Sequence, residues 1–157
     1  MEYSRIKGVV VLSMIALLFF TSACKKELSV DSAKVKPPIR TYIITARADK
    51  KGTNSNSVGK AVLSGQYDEE TKVLDYSIEY TEIVPMLMTL RYGAKGSAGT
   101  FVRELYNAQT SKQATIRGSF ALTPLQERNL LKGLWFVSVS TATMAAEISG
   151  VLTYKQK

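Results

Sequence analysis

Histidine is absent from the 157-residue sequence, and cysteine occurs once, as Cys24. The absence of histidine excludes Ser-His-Asp and Cys-His catalysis, as well as zinc or copper sites that depend on imidazole ligands. A single cysteine excludes an intramolecular disulfide and a cysteine-rich metal site. The rest of the composition is ordinary for a folded globular protein, since 45% of the residues are hydrophobic and 22% are charged. The length fits one domain.

The first 24 residues have the layout of a secretory signal. A basic start at Arg5 and Lys7 is followed by an apolar run over residues 8–20 and by small residues before Cys24. The apolar run is shorter than the roughly 20 residues that a membrane-spanning helix needs. We therefore predict that residues 1–23 are a cleaved signal peptide outside the fold. The alternative is an uncleaved N-terminal anchor helix.

Small residues followed directly by the chain's single cysteine resemble the lipobox of bacterial lipoproteins. The resemblance implies that Cys24 is acylated and becomes the mature N-terminus, although Thr21 stands where that family prefers leucine. Several acyl chains give stable anchoring, so the domain is expected to sit outside a bilayer that holds its lipid. The implied location is extracytoplasmic, on the bacterial outer membrane, at its periplasmic or cell-surface face.

Residues 24–40 are predicted to be a flexible tether, because they contain few large apolar residues and include Pro37-Pro38. Lys25-Lys26-Glu27 resembles the charged signal that sends some lipoproteins to the cell surface, or it is the solvated start of the linker. The whole sequence has a formal charge of +8, and five basic residues against two acidic ones fall in the tether. Because this excess lies in the linker of an exported protein, nucleic acid is not expected as a partner. Attraction to an anionic membrane surface or glycan, or simple solubility, accounts for it.

A period of two dominates the sequence from Thr41 onward. Between Val73 and Tyr80, apolar side chains alternate with polar ones, which places Asp75 and Glu79 on the outward face of a half-buried antiparallel strand. Turn signals recur about every ten residues, which predicts an antiparallel sandwich or barrel. Strands are predicted over residues 39–48, 61–67, 72–82, 86–92, 100–105, 114–122, 135–140 and 147–154.

One short helix is predicted before the last two strands. Thr123 occupies the N-cap position, Pro124 the first helical position and Gln126 the capping-box position, while Gly133 is a stop signal. A helix this short is stable only when it packs on other elements. It is therefore expected to close one end of the sheets.

The predicted domain, residues 41–157, resembles the CHRD family. The resemblance is carried by Gly118–Thr123 with the helix after it, by Leu131–Thr141, by Ala146–Leu152 and by the strand Val73–Tyr80. These segments look like that family's strand, short helix, aromatic-rich strand and closing Gly-Glu-Ile-Arg-Gly motif. The family is named from repeats in chordin and is common in bacterial secreted proteins. The resemblance implies an all-β fold, an antiparallel immunoglobulin-like Greek-key β-sandwich.

The sequence departs from that family at its histidines. The family's His-Ile-His-Gly segment falls on Leu90-Arg91-Tyr92-Gly93, and a later histidine falls on Ser140. In the family these histidines suggest a metal site reminiscent of copper–zinc superoxide dismutase. Because Leu90 cannot ligate a metal, and Tyr92 and Ser140 are poor zinc or copper ligands, the resemblance implies a scaffold with a vestigial site. Glu147 falls on the family's glutamate and is expected to have a structural role.

The leading hypothesis is therefore a non-catalytic binding or scaffold module without a cofactor or metal. Its expected partners are membrane lipid, through acylated Cys24, and an envelope protein or glycan. The alternative is an enzyme or metal binder that uses Asp, Glu, Tyr and Lys, best represented by an oxygen-ligated calcium site at Asp68, Glu69 and Glu70. The loop Gly93–Gly99 is interpreted as a flexible connection, because it lacks the P-loop's terminal Gly-Lys-Ser/Thr and precedes a strand.

Overall fold

The computed structural model describes residues 38–94, 97–110 and 115–157. The predicted signal over residues 1–23, Cys24 and the predicted tether up to residue 37 lie outside the described residues. Within them, no helix is both long enough and apolar enough to cross a bilayer. Eight strands and one α-helix are present: β1 Thr41–Ala48, β2 Lys60–Asp68, β3 Val73–Thr81, β4 Leu87–Tyr92, β5 Thr100–Asn107, β6 Ile116–Ala121, α1 Pro124–Leu131, β7 Trp135–Ser140 and β8 Ile148–Gln156.

Each strand forms where the sequence predicted it, with ends that differ by two residues at most. In β3, for example, Leu74 and Ile78 are buried while Asp75 and Glu79 are exposed. The alternation works because successive side chains of a strand point to opposite faces, so the apolar set can be buried without burying charge.

The strands are hydrogen-bonded antiparallel in the order β5-β4-β7-β8-β1-β2-β3-β6. Strand β8 joins the two layers, since residues 148–151 pair with β7 and residues 152–156 pair with β1. At the ends of the order, the guanidinium carbon of Arg103 in β5 lies 4.6 Å from the ring centre of Phe120 in β6, so the sheet is nearly closed. The predicted all-β antiparallel fold is confirmed, with sandwich-like layers that are continuous through β8.

Gly150 allows β8 to pass from one layer to the other. A Cβ atom at this position would lie 2.6 Å from the amide nitrogen of Ala48 and closer still to the carbonyl group of Arg47. Both are backbone atoms of β1, so no rotation of a side chain could make room. Glycine is therefore the residue that lets β8 and β1 approach each other here.

The space between the layers is filled by one apolar cluster. Its fully buried members include Ile44, Leu63, Leu90, Trp135 and Val139, which come from four different strands. Because the apolar face of every layer is covered by the other, this burial holds the sheet in its nearly closed form.

Helix α1 closes one end of the sheet, as the sequence predicted. The Thr123 hydroxyl accepts a hydrogen bond from the Gln126 amide, and the Gln126 side chain accepts one from the Thr123 amide, which completes the capping box. Leu130 is buried in the core. Gly133 follows the helix with a φ of 68°, the left-handed conformation that favours glycine at a helix end.

The first and last described residues of the sheet lie at the same end as α1. The amide of Lys157 donates to the carbonyl of Thr41 at 2.9 Å. The hydroxyl of Tyr154 donates to the carbonyl of Leu131 at 2.7 Å. We call this end, with α1 and the β2–β3 turn, the α1 end.

The β1–β2, β3–β4 and β7–β8 connections lie at the opposite end, which we call the loop end. The Thr53 hydroxyl donates to the carbonyl of Glu147 at 2.9 Å, and the Met86 amide donates to the carbonyl of Ser140 at 2.8 Å. The first bond joins two connections and the second joins the β3–β4 connection to the end of β7, so the antiparallel strands bring the three connections together on one side of the molecule.

Candidate functional site

The residues of the predicted vestigial site do not come together. Leu90 in β4 is fully buried in the core, and Tyr92 packs against the same core. Ser140 lies opposite Leu87, at the other end of the β4–β7 pair from Tyr92, a separation of about 17 Å along the strand. Val139 faces the core, so its neighbour Ser140 points to the opposite face of the sheet. The three positions therefore do not share a pocket.

Glu147 lies in the β7–β8 turn and holds it to the β1–β2 loop. Its carboxylate accepts a hydrogen bond from the Thr141 hydroxyl at 2.5 Å, and its carbonyl accepts one from the Thr53 hydroxyl. Hydrogen bonds from the hydroxyls of Ser57 and Thr141 lower the pKa of Glu147, so its carboxylate is ionised at neutral pH. These contacts tie two connections of the loop end to each other.

Two of the three acids proposed for a calcium site, Asp68 and Glu69, serve other contacts. Asp68 accepts hydrogen bonds at 2.8 Å from the amides of Thr71 and Glu70, and these bonds lower the pKa of Asp68 against the opposing effect of burial. Glu69 accepts a hydrogen bond from the Tyr42 hydroxyl at 2.9 Å. In the part of the chain that the structure describes, no group of three or more His, Cys, Asp or Glu side chains is placed to hold a metal ion. The geometry gives the calcium alternative no support.

Strand β7 is buried on both faces along most of its length, whereas in β4 this holds only for Met88–Leu90. Trp135, Val137 and Val139 face the core, whereas Phe136 and Ser138 point outward and are still only 9% and 6% exposed. Something other than the core must cover the outer face of this strand. The connection between β4 and β5 lies on Phe136, and the 3-10 turn Lys50–Gly52 after β1 packs on the neighbouring strand β8.

The β4–β5 connection is held over β7 by Arg91. The Arg91 guanidinium donates to the carbonyls of Ala98 and Gly99, at 2.5 and 3.0 Å. A Cβ atom at Gly99 would lie 2.5 Å from the ring of Phe136, so the backbone of Gly99 rests directly on that ring. Gly99 also has a φ of 60°, which favours glycine at this position.

On the other side, the turn after β1 contacts β8. Ser149 donates a hydrogen bond from its hydroxyl to the carbonyl of Gly52 at 3.3 Å. The amides and carbonyls of Asp49 and Ser149 also pair with each other, at 3.1 and 3.2 Å. This turn and the β4–β5 connection therefore stand on either side of the same stretch of β7 and β8.

The space between them is a cleft, which we call the β7–β8 cleft. It consists of two adjoining cavities of about 410 and 440 Å³. Both cavities are lined by Lys51, Gly52, Ser97, Phe136 and Ser149. Its volume falls in the range of ligand-binding clefts in proteins, about 300–1,000 Å³.

The lining of the cleft combines charged, hydroxyl and apolar groups. Arg47, Asp49 and Lys51 supply charge, and Ser138 and Met144 line the deeper and outer parts of the second cavity. Asp49 is the one carboxylate among the described lining residues, and its side chain accepts from the Lys51 amide at 2.8 Å. Such a surface can hydrogen-bond a polar or anionic ligand while an apolar face of the ligand packs on Phe136.

Sequence reasoning did not find this cleft, because its residues come from separate strands and loops. Arg47 lies in β1, Phe136 in β7 and Ser149 in β8. One local signal was present: the run Trp135–Val137 is apolar without alternation, which indicates a strand covered on both faces. That signal predicts a cover over β7, but it does not identify the loops that provide it.

Comparison of the sequence with models of known protein families gives a match. The model of the CHRD domain matches residues 42–152, a stretch that begins in β1 and ends in β8 and includes every residue of the β7–β8 cleft named above. No curated protein and no solved structure matches the chain.

Proposed function

The chain belongs to the CHRD domain family, and on that premise we propose that it is a lipid-anchored protein of the bacterial outer membrane whose β-sandwich is a non-catalytic binding module. The ligand is an envelope glycan or protein that the β7–β8 cleft holds. The anchor is Cys24, and the domain stands outside the bilayer on the periplasmic or cell-surface face.

The anchor is proposed from the sequence, because Cys24 lies outside the described residues. Acylation is tested by growing cells with labelled palmitate and comparing the wild-type chain with Cys24→Ser. Label is expected on the wild type alone, and the Cys24→Ser chain should leave the membrane fraction. Equal labelling of both chains would refute the anchor.

The observation that supports binding is the cleft itself, a concave surface with unlike chemical groups on its walls. Arg47 and Lys51 are exposed on its rim, so they can donate charge-assisted hydrogen bonds to an anionic group of a ligand. Hydroxyl groups of Ser97, Ser138 and Ser149 offer both donors and acceptors, which suits a polyhydroxylated ligand. Non-catalytic action is proposed because the lining offers one carboxylate, whereas glycoside hydrolysis, for example, uses two.

Binding is tested with a glycan array and with capture from an envelope extract. The variants Arg47→Ala and Lys51→Ala should each weaken capture of the same ligand by about 10-fold, the size expected for loss of one charge-assisted hydrogen bond. Arg117→Ala is the matched control, because Arg117 is an exposed cation on β6 away from the cleft. Equal binding by all four chains would remove the cleft from the proposal, and a measured hydrolase activity would overturn the non-catalytic role.

A further inference from the structure

The α1 end presents an exposed surface that is both apolar and basic. Leu125, Arg128 and Lys132 are exposed and follow one another at spacings of three and four residues, so they share one side of the helix. Leu130 lies on the opposite side and is buried in the core. A helix with this division presents leucine and cations together to whatever lies beyond the end of the domain.

The surroundings of α1 extend the same surface. Ile39, just before β1, is 56% exposed, Leu125 is 53% exposed and Tyr154 is 44% exposed. Among the described residues the one ion pair joins Lys72 to Glu127, so the ammonium and guanidinium groups of α1's outer side are not neutralised by a carboxylate. The charged side chains of this end are Arg40, Lys72, Arg128, Lys132, Lys155 and Lys157 against Asp68, Glu69, Glu70 and Glu127.

The α1 end is also where the chain enters the described domain. Pro38, the first described residue, leads into β1 at the α1 end. Thirteen residues separate Pro38 from Cys24, and a chain of that length reaches about 50 Å at full extension. A domain anchored through Cys24 is therefore held close to the bilayer, and even a weak surface contact is then favoured by the high local concentration.

We propose that the α1 end is a membrane-contact surface, which packs against the head-group region of the bilayer that carries the lipid anchor. Leu125 and Ile39 enter the head-group region, and Arg128 and Lys132 contact lipid phosphates, the arrangement that suits interfacial helices. This inference rests on the proposed anchor at Cys24. It fixes the orientation of the domain, because the loop end then points away from the membrane.

The test uses the full chain in vesicles and measures how near two labelled positions come to the lipid. Once Cys24 is acylated, a cysteine introduced by Leu125→Cys or by Val84→Cys is the single free thiol for a fluorophore. Val84 is the matched control, since it is 80% exposed in the β3–β4 connection at the loop end. A quencher attached to the lipid head group should reduce emission at position 125 at least twofold more than at position 84.

The lipid composition and the charge on α1 provide a second measurement. The contrast between the two positions should be larger in vesicles with phosphatidylglycerol than in pure phosphatidylcholine, and Arg128→Glu with Lys132→Glu should reduce it. Equal quenching at positions 125 and 84 in both kinds of vesicle would overturn the proposal.

Failure of the anchor is detected separately, by the mass of the membrane-extracted protein. If Cys24 carries no lipid, the Cys24→Ser chain is tethered by an N-terminal hexahistidine tag to nickel-chelating lipid. The tag is the single histidine segment, because the chain has no histidine of its own. The same pair of labelled positions then tests the contact surface, and equal quenching there overturns it without reference to acylation.

Discussion

Replacement of Gly150 by alanine tests whether the passage of β8 between the layers depends on close backbone contact. The added Cβ would lie 2.6 Å from the amide nitrogen of Ala48, whereas ordinary contacts of a Cβ atom begin at 3.4 Å. Strands β8 and β1 must therefore separate by roughly 1 Å. The nearby hydrogen bonds between Asp49 and Ser149 measure 3.1 and 3.2 Å, so they would be broken by such a shift.

The expected cost has two parts. Overpacking at a tight site costs about 1–3 kcal/mol. Loss of two backbone hydrogen bonds adds about 1–3 kcal/mol. Unfolding free energies of whole domains are about 5–15 kcal/mol, so Gly150→Ala should remove a large share of the stability. For a domain of this size we expect Tm to fall by roughly 10–20 °C.

The measurement is thermal unfolding followed by circular dichroism, with urea unfolding as a second probe. Gly52→Ala is the control, because its Cβ would first meet the Ser149 hydroxyl, a side-chain atom that can rotate away. Gly52→Ala should change stability by less than about 1 kcal/mol. The reasoning would be refuted if the Tm of Gly150→Ala lay within about 2 °C of the wild-type Tm. It would also be refuted if Gly52→Ala lowered the Tm as much as Gly150→Ala does.

Three further substitutions are expected to separate the contributions of the α1 end. Thr123→Ala removes the acceptor of the capping box and should cost about 1 kcal/mol in urea unfolding, and an unchanged midpoint would contradict the cap. Tyr67→Phe removes a fully buried hydroxyl that faces the Glu127 carboxylate without a well-formed hydrogen bond, so stability should be unchanged or higher by up to about 1 kcal/mol. A measurable loss of stability in Tyr67→Phe would show that the hydroxyl does bond to Glu127. Burial alone would raise the pKa of Glu127, but the Lys72 ammonium, which donates to its carboxylate at 2.8 Å, acts against burial, and the net effect lowers the pKa from 4.5. The stabilisation is thus present above pH 4.5 and is lost as pH falls through the lowered pKa, so Glu127→Gln should flatten the acid dependence of the urea midpoint, and an equally steep profile would count against the pair.

The strands and the helix could be predicted from the sequence because their signals are local. The alternation around Asp75 and Glu79 requires only that neighbouring side chains of a strand point to opposite faces. The cap at Thr123 and the stop at Gly133 depend on backbone groups within a few residues. The order of such segments along the chain resembles the CHRD family, and the family match over residues 42–152 confirms that resemblance.

The site could not be predicted in the same way. Leu90, Tyr92, Ser140 and Glu147 were grouped by their places in a family pattern, but strand register places Ser140 far from Tyr92 and on the other face of the sheet. The residues that do line a cleft were not grouped, because no spacing in the sequence relates Arg47 to Phe136. Register between distant strands depends on the whole sheet, and a local pattern does not contain it.

The sequence by itself determined that the protein has no histidine-based chemistry and no internal disulfide, and that its body is an antiparallel β domain with one short capped helix. It did so because composition and local periodicity do not depend on which strands meet. The tertiary structure alone decided that β8 crosses between layers at Gly150, that two loops flank a cleft over β7 and β8, and that α1 lies at the end where the described chain begins. Those features require residues that are far apart in the sequence to pack together, and packing is set by the assembled core.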